Sequence, residues 1–391
     1  MSLPSCRSML ETLIRIPSVS STDPAWDQGN GPLVEVLGQW LAELGFGIEQ
    51  CPIPGQAGKY NLIATLGQGP GALVLSGHTD TVPFDRGGWA SDPFRLTERD
   101  GRFYGLGVTD MKGFFALVLE ALRGLDLTRL RRPLVVLATA DEESSMSGAR
   151  ALVGAERHLG RHALIGEPTG LRPVRLHKGV GMQAIRLRGR SGHSSDPSLG
   201  LSALEGMQRV MGELLRWREE LQARYHNPHF QVPVPTLNLG RIAGGDNPNR
   251  ICGACDLEFD LRPLPGMDLD QLLAELRERL AVLLGDSGLG WELTPLFAGV
   301  PPCETPASAA IVQAAERLTG QGAEAVAFGT EAPYFNQLGM ETLILGPGDI
   351  AQAHQPDEFL ALDRIPPYLN FLGALVHQFC LTDGGETHVQ P

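Results

Sequence analysis

Short apolar segments that alternate with helical segments constrain the fold of this chain more than any other feature of its sequence. The predicted elements, in chain order, are a helix at 33–44, strands at 60–66 and 72–76, a helix at 114–122, a strand at 133–139, a helical patch at 148–152 and a strand at 163–165. Continuous apolar strands separated by helices are typical of a parallel sheet that helices cover on both faces. The sequence therefore predicts the α/β class, with a mostly parallel sheet.

The pattern changes after residue 179. The next predicted elements are a strand at 181–188, a helix at 203–221, strands at 236–242 and 252–261, a helix at 269–284 and a strand at 291–296. This order is the split βαβ, or ferredoxin-like, arrangement of an α+β domain. The first pattern then resumes with a helix at 309–318, a strand at 341–345 and a helix at 366–379. We therefore predict a domain at 180–296 inserted into a larger domain at 1–179 and 297–391, with a frayed polar tail at 383–391.

Length, hydropathy and charge exclude several classes of protein. A chain of 391 residues exceeds what one hydrophobic core usually serves, which favours two domains. No apolar run reaches the roughly 18 residues of a membrane span, and the N-terminus shows no secretory signal, so we expect a cytoplasmic protein without a membrane partner. The net charge of −13 disfavours nucleic acid as a partner, because binding to its backbone needs clustered Lys and Arg.

Two cysteines, Cys252 and Cys255, form a C-x-x-C pattern that could indicate a zinc or redox site. No second cysteine pair or nearby histidine accompanies them, and the surrounding residues resemble a strand. The pattern therefore favours thiols packed within a strand over a metal or redox role.

Histidines and acids follow four predicted strands of the larger domain. The strand at 72–76 leads to His78 and Asp80, the strand at 133–139 to Glu142 and Glu143, the strand at 163–165 to Glu167, and the strand at 341–345 to His354; Asp110 precedes the helix at 114–122. Each motif alone is more often a surface feature, but buried acids at several strand ends are costly unless they are paired or bind metal. In an open parallel sheet these ends meet at one edge, where sites form.

The chemistry of this set favours a pair of divalent metal ions. Two imidazoles and several carboxylates without a thiolate suit zinc, cobalt or manganese. Five ligands suffice for two ions if one carboxylate bridges them, and the five candidates are His78, Asp110, Glu143, Glu167 and His354. Glu142 then remains as a general base for a metal-bound water. Asp80 is placed to accept a hydrogen bond from the second ring nitrogen of His78.

Four motifs resemble those of the zinc-dependent aminoacylase and carboxypeptidase family. They are SGHTDTVP at 76–83, GVTDMKG at 107–113, TADEE at 139–143 and GHSS at 192–195. The resemblance covers nearly the whole chain in the same order, including the inserted domain. It implies two zinc ions, with cobalt as an alternative. One ion is held by His78, Asp110 and Glu167, the other by the bridging Asp110 with Glu143 and His354, and Glu142 is the base.

Longer stretches resemble the members of this family that deacetylate N-acetylated amino acids. They lie at 188–197, 249–252, 260–266, 329–334 and 346–357. A glutamate at position 167 is typical of deacylases and desuccinylases, whereas aminopeptidase relatives usually carry aspartate there. The resemblance implies an N-acyl amino acid substrate and a homodimer formed by the inserted domain. His193 would then donate a hydrogen bond in the active site of the partner subunit. A loop histidine that caps the following helical region is the alternative for His193.

The α-carboxylate of such a substrate calls for a forked cation, for which Arg250 and Arg262 are candidates. Family similarity favours Arg262, with Asn249 nearby, and Thr330 and Glu331 are candidates for lining the pocket. Two alternatives stay open. One is a related desuccinylase or aminoacylase with the same metals and a different pocket. The other is a non-catalytic metal-dependent binding or dimerisation protein, against which an intact Glu142 argues.

Overall fold

The computed structural model describes residues 3–85 and 87–381, and the tail predicted to fray at 383–391 lies outside them. The helices are α1 (Cys6–Arg15), α2 (Gly31–Glu43), α3 (Lys112–Arg123), α4 (Ser147–Gly154), α5 (Ala203–Arg224), α6 (Leu269–Leu284), α7 (Ala310–Thr319), α8 (Ala332–Gln337) and α9 (Ile365–Val376). The strands are β1 (Gly47–Pro52), β2 (Tyr60–Leu66), β3 (Leu73–His78), β4 (Thr97–Arg99), β5 (Arg102–Tyr104), β6 (Leu134–Thr139), β7 (His162–Ile165), β8 (Val174–His177), β9 (Gly181–Arg188), β10 (Thr236–Gly244), β11 (Ala254–Arg262), β12 (Gly290–Pro295), β13 (Cys303–Glu304), β14 (Glu324–Val326), β15 (Glu341–Ile344) and β16 (Phe359–Ala361).

The described chain divides into two compact units. Unit 1 comprises the described residues of Met1–Arg175, Thr305–Glu324 and Thr330–Pro391, and unit 2 comprises Leu176–Glu304 and Ala325–Gly329. The predicted boundaries lie after residues 179 and 296, whereas the chain leaves unit 1 after Arg175 and returns at Thr305. The second, short excursion of the chain into unit 2 was not predicted. The roles expected for the two domains stay predictions.

A mixed sheet forms the centre of unit 1. Its strands lie in the order β1-β2-β6-β3-β7-β15, and the neighbours from β6 to β15 run parallel. The pairs β1–β2 and β2–β6 are antiparallel. All residues of β3, β6 and β7 are buried, as expected for strands covered on both faces. The predicted α/β class is confirmed, with antiparallel pairing confined to strands outside the parallel centre.

The core of unit 1 lies between this sheet and helices that include α1, α3 and α9. Strand residues Leu75 and Val136 belong to one buried cluster with Phe115 of α3 and Tyr368 of α9. Both α1 and α9 pack against α3, which explains why α3 is apolar around most of its circumference. The parallel strands are therefore held firmly, with their carboxyl ends at one edge.

Unit 2 contains a four-stranded antiparallel sheet in the order β10-β11-β9-β12. Strand β9 alternates between buried and exposed residues along most of its length, and α5 packs on the sheet through Trp217 and its neighbours. Helix α5 begins at Ser202, whose side chain accepts a hydrogen bond from the backbone N–H of Glu205. The elements β9, α5, β10, β11, α6 and β12 follow the predicted split βαβ order.

Some expectations about local structure need correction. Strand β11 begins at Ala254, so Cys252 lies just before the strand and Cys255 within it. Both residues are buried in the core of unit 2, and the Cys252 thiol donates to the backbone carbonyl of Ala254 at 3.1 Å. The predicted helix at 366–379 ends at Val376, where a short π-helical turn follows. In the described ranges, no helix combines the length and the apolar character that a membrane crossing requires.

Candidate metal centre

The candidate ligands of unit 1 meet at the carboxyl edge of the parallel strands. His78 is the last residue of β3, Glu142 and Glu143 follow β6, and Glu167 follows β7. Asp110 lies two residues before α3, and His354 lies in the loop after β15, where its backbone is left-handed with a φ of 59°. Residues that are far apart in the chain therefore converge because their strands end side by side.

The first cluster is centred on His78, whose ring is fully buried. Its Nε2 atom lies 3.1 Å from Oδ1 of Asp110 and 3.7 Å from Oε1 of Glu167. One donor atom each from His78, Asp110 and Glu143 lies within 4.8 Å of the other two, and the same holds for His78, Glu142 and Glu167. These spacings fit ligands around a divalent ion.

The second cluster is centred on His354. Its Nε2 atom lies 3.0 Å from Oε2 of Glu143 and 3.5 Å from Oδ2 of Asp110. The two oxygens of the Asp110 carboxylate therefore face two different histidines, as a bridging ligand requires. The side chain of His354 is 55% exposed, whereas those of Asp110 and Glu143 are buried. The centre thus has one open side through which a substrate can approach.

Buried carboxylates without a compensating cation perturb one another strongly. Burial and the charge of Asp110 raise the pKa of Glu167 well above its usual range, and burial and Glu167 do the same for Glu142. The pKa of Asp110 is lowered despite its burial, because it receives hydrogen bonds from His354 and His78. The hydrogen bonds to Asp110 and Glu143 raise the pKa of His354 to about 11. Clusters of this kind are typical of functional sites.

The residues present fit a pair of divalent cations. Oε1 of Glu143 is buried and has no hydrogen-bond partner among the residues that the structure describes, and a metal ion would satisfy it. The donor set contains imidazole nitrogen and carboxylate oxygen, which suits zinc or cobalt. Two metal charges would also compensate the acids that are buried here at a cost.

Asp80 makes different contacts from those expected from the sequence. Nδ1 of His78 is nearest to the backbone carbonyl oxygen of Asp80, at 3.0 Å, and lies 3.6 Å from the carboxylate. The carboxylate accepts the backbone N–H groups of Glu142 and Glu143 at 3.2 and 3.0 Å. Asp80 therefore orients His78 mainly through its backbone and uses its side chain to hold the loop that carries two acids.

Two further buried charged residues near the candidate ligands, Lys59 and Glu358, were not predicted from the sequence. The ammonium of Lys59 lies 2.5 Å from Oδ1 of Asp141, next to Glu142 in the chain, and 2.6 Å from Oδ1 of Asp27. Glu358 accepts three backbone N–H groups from the loop that carries Asp110. No local signal marks Lys59, whereas an acid four residues after His354 is a signal for Glu358.

Thr330 and Glu331 lie at the start of α8, and both are buried. Oε2 of Glu331 accepts a hydrogen bond from the hydroxyl of Thr139 at 2.8 Å, and its buried Oε1 has no hydrogen-bond partner within the described part of the chain. Burial raises the pKa of Glu331 to about 7. Thr330 uses its hydroxyl locally, accepting the backbone N–H of Ala332. Glu331 thus belongs to the electrostatic surroundings of Glu142, and Thr330 shapes the helix start.

His193 lies on an exposed loop of unit 2. Its Nδ1 atom is 2.7 Å from the Ser195 hydroxyl, and the following 3₁₀ turn is capped by Asp196 instead of His193. The Nδ1 atom of His193 also accepts the backbone N–H of Ser195 at 3.2 Å, and the catalytic role expected for His193 stays a prediction.

The other three candidate substrate-binding residues, Asn249, Arg250 and Arg262, lie in unit 2. Asn249 accepts the backbone N–H of Ser194 through its carbonyl, so its loop lies beside the His193 loop. Arg250 pairs with Asp246 at 2.6 Å and Arg262 with Asp260 at 2.7 Å. Arg262 is the less exposed of the two arginines, with 27% of its side chain accessible against 52% for Arg250.

Comparison with known proteins shows the family to which the chain belongs. The profile of peptidase family M20/M25/M40 matches residues 74–378, and the chain belongs to this family of hydrolases. The resemblance inferred from the motifs is thereby confirmed.

Two relatives are about half identical to this chain over nearly its whole length. The chain is 50% identical over 378 residues to acetylornithine deacetylase of Pasteurella multocida, covering 97% of this chain and 99% of the relative. It is 49% identical to acetylornithine deacetylase of Edwardsiella ictaluri, with 97% and 98% coverage.

Solved structures share the fold at low sequence identity. An M20 family metallo-carboxypeptidase from Sulfolobus solfataricus has a TM-score of 0.75 at 17% identity, covering 96% of this chain and 99% of that one. A dinuclear metal binding peptidase of the M20 family from Bacillus subtilis has a TM-score of 0.64 at 15% identity, with 95% and 96% coverage.

The candidate histidines should release protons when a metal ion binds. The pKa values of His78 and His354 are raised, so both rings carry a proton in the metal-free protein at about pH 7, whereas a metal ligand is a neutral imidazole. Zinc binding should therefore release about one proton from each histidine, in addition to the proton of Glu167, a further candidate ligand whose pKa is raised well above its usual range. Calorimetric titration in buffers of different ionisation enthalpy measures this number.

His354→Ala is the matched variant for this titration, because it should lower the number of released protons by about one. Zinc binding with a heat that does not depend on the buffer would contradict the prediction.

Proposed function

We propose that this chain hydrolyses N2-acetylornithine to ornithine and acetate, a step of arginine biosynthesis, with two divalent metal ions. The observation that carries the hydrolytic centre is the Asp110 carboxylate, which presents one oxygen to His78 and the other to His354. The substrate is proposed from the two acetylornithine deacetylases that are about half identical to this chain over nearly its whole length. We expect the reaction to take place in the cytoplasm.

In this proposal His78, Asp110 and Glu167 hold one ion, and Asp110, Glu143 and His354 hold the other. Zinc is the expected metal, and cobalt shares its preference for these ligands. When bound, such ions supply a nucleophilic water and polarise the amide carbonyl. The B. subtilis neighbour described as a dinuclear metal binding peptidase supports two ions in place of one.

Glu142 is the proposed general base. It shares a cluster with His78 and Glu167 but is the acid left over once two ligand sets are complete. Its raised pKa, caused by burial and then by Glu167, suits a group that takes a proton from water and passes it to the departing amine. Asp80 supports this role by accepting the backbone N–H of Glu142.

The candidate substrate-binding residues keep the roles expected from the sequence. Arg262, with Asn249 nearby, would bind the α-carboxylate through its forked guanidinium, and Arg250 is the second candidate. Glu331 would favour a cationic side chain by its charge, and Thr330 would shape the pocket. We further propose a homodimer in which His193 acts in the active site of the partner subunit, donating to the carbonyl oxygen as negative charge develops there.

Acetate release from N2-acetylornithine tests the function directly. Protein stripped of metal by a chelator should be inactive and should recover on addition of zinc or cobalt. N-succinyl-diaminopimelate and N-acetyl derivatives of neutral amino acids, assayed in parallel, should be hydrolysed less efficiently. A metal-loaded protein that prefers the succinyl substrate would replace this proposal with a desuccinylase, and one that hydrolyses nothing would favour the metal-dependent binding protein.

Replacing the proposed base should separate chemistry from metal binding. Glu142→Gln should lower kcat by about 10²–10⁴, the usual contribution of a general base, while two metals remain bound. Steady-state kinetics and metal analysis of the same sample measure both quantities. Glu156→Gln, on the exposed surface of unit 1, is the control and should behave as the parent. Parental turnover in Glu142→Gln would exclude Glu142 as the base.

The proposed role of His193 across the dimer can be tested by mixing two inactive variants. In a dimer of His193→Ala with Glu142→Gln, one of the two active sites would have both an intact Glu142 and an intact histidine from the other subunit. Random reassociation of equal amounts should therefore restore about a quarter of the parental activity. Acetate release after unfolding and refolding the mixture measures the recovery, with each variant refolded alone as its control. No recovery in a mixture that contains mixed dimers would place His193 outside the partner's site.

A further inference from the structure

We propose that Glu358 is a positioning residue that holds the bridging carboxylate of Asp110 in place, so that the protein can take up its second metal ion. This inference rests on the proposed metal centre. The side chain of Glu358 is buried, with the residue only 2% exposed, yet none of the candidate ligand clusters among the described residues includes it. A buried carboxylate must be satisfied by partners, and those of Glu358 identify its role.

Those partners are three backbone N–H groups of one loop. Oε1 of Glu358 accepts the backbone N–H of Thr109 at 2.7 Å and that of Asp110 at 3.0 Å. Oε2 accepts the backbone N–H of Gly107 at 2.9 Å. Three hydrogen bonds to one buried side chain restrain the loop at both ends. The backbone N–H of Asp110 itself is one of the three, so the restraint acts directly on the bridging residue.

The same segment also contacts Asp110 from its other side. His354 lies four positions before Glu358, and its Nε2 is 3.5 Å from Oδ2 of Asp110. One short loop, 354–358, thus contributes a candidate metal ligand and the acceptor that holds the backbone of a second ligand. Displacing this loop would therefore change two of the three candidate ligands of the second cluster together, His354 and Asp110.

Additional bonds anchor the two loops to each other. The hydroxyl of Thr109 donates to the backbone carbonyl of Phe359 at 2.6 Å. The backbone N–H of Gly105 donates to the backbone carbonyl of Glu358 at 3.1 Å. Strand β16 begins at Phe359 and pairs with β5, the strand that leads into the Asp110 loop. The Asp110 loop and the 354–358 loop therefore adjoin the same small antiparallel ladder. Glu358 is the central contact between these two loops.

Asp80 provides a parallel within the same centre. Its carboxylate accepts the backbone N–H groups of Glu142 and Glu143, just as that of Glu358 accepts those of the Asp110 loop. Each candidate histidine thus has, within four residues, a buried carboxylate that holds another ligand loop. Replacing a residue that holds a metal ligand in place typically changes metal affinity or activity about 10- to 100-fold. We expect an effect of about that size when Glu358 is replaced.

Glu358→Gln tests the proposal because glutamine keeps the size of the side chain. Its single carbonyl oxygen can still accept from Thr109 and Asp110, but its NH₂ group would face the N–H of Gly107, so two donors would meet. The dissociation constant of the second zinc or cobalt equivalent should rise about 10- to 100-fold, and the absorption spectrum of the cobalt protein should change. The KM for the substrate should stay close to that of the parent once metal is saturating.

Glu341→Gln is the matched control. Glu341 also accepts a backbone N–H, that of Ala310 at 3.1 Å, but it lies at the first residue of β15, away from the carboxyl edge. This variant should shift the thermal unfolding midpoint without altering metal affinity or the cobalt spectrum. Titration of the parent comes first: a parent that does not bind two metal ions would refute the proposed centre itself, which is a different outcome from failure of the Glu358 assignment.

A purely structural role for Glu358 gives a different result. The unfolding midpoint of metal-free Glu358→Gln would then fall while metal affinity and the cobalt spectrum remained parental, and that result would overturn the proposal. If Glu358→Gln does not fold, Thr109→Val decides, because it removes only the hydroxyl bond to Phe359. Weaker binding of the second equivalent, by about threefold or more, would support the proposal, and parental affinity and spectrum would overturn it.

Discussion

The structure of the centre depends on one carboxylate, that of Asp110, held between two histidines. Its oxygens lie 3.1 Å from Nε2 of His78 and 3.5 Å from Nε2 of His354, and it is buried. Burying this charge beside Glu143 and Glu167 is unfavourable unless cations compensate it. The surrounding strands and loops bring the Asp110 carboxylate and the two histidines together and keep them in place.

Two levels of structure meet that need. The parallel strands place His78, the 142–143 doublet and Glu167 at one edge, because β3, β6 and β7 are neighbours in a rigid, buried sheet. Buried carboxylates outside the ligand set then hold the loops: Asp80 accepts the N–H groups of the 142–143 doublet, and Glu358 those of the Asp110 loop. Strands fix where ligands meet, and the hydrogen bonds fix how the ligands are directed.

Much of the fold could be predicted from sequence because hydrophobic periodicity reports directly on burial. Strand β2 at 60–66, strand β9 at 181–188 and helix α6 at 269–284 have the predicted bounds. Short elements such as β4, β5 and β16 were missed, since three residues carry too little periodicity to be distinguished from a loop. The small β4–β5–β16 sheet matters nevertheless, because the loops of Asp110 and His354 both adjoin it.

The sequence by itself determined the class of fold, the order of its elements and the chemical types of the candidate ligands. Each of these depends only on local hydrophobic periodicity or on residue identity. Only the tertiary structure decided which groups hold those ligands. Glu358 and Asp110 are 248 positions apart, and Lys59 and Asp141 are 82 apart, so no local pattern connects them. The carboxylate of Asp80 likewise holds the 142–143 backbone in preference to its neighbour His78. Such choices depend on distances of a few tenths of an ångström between loops, which are set by how the whole sheet and its helices pack.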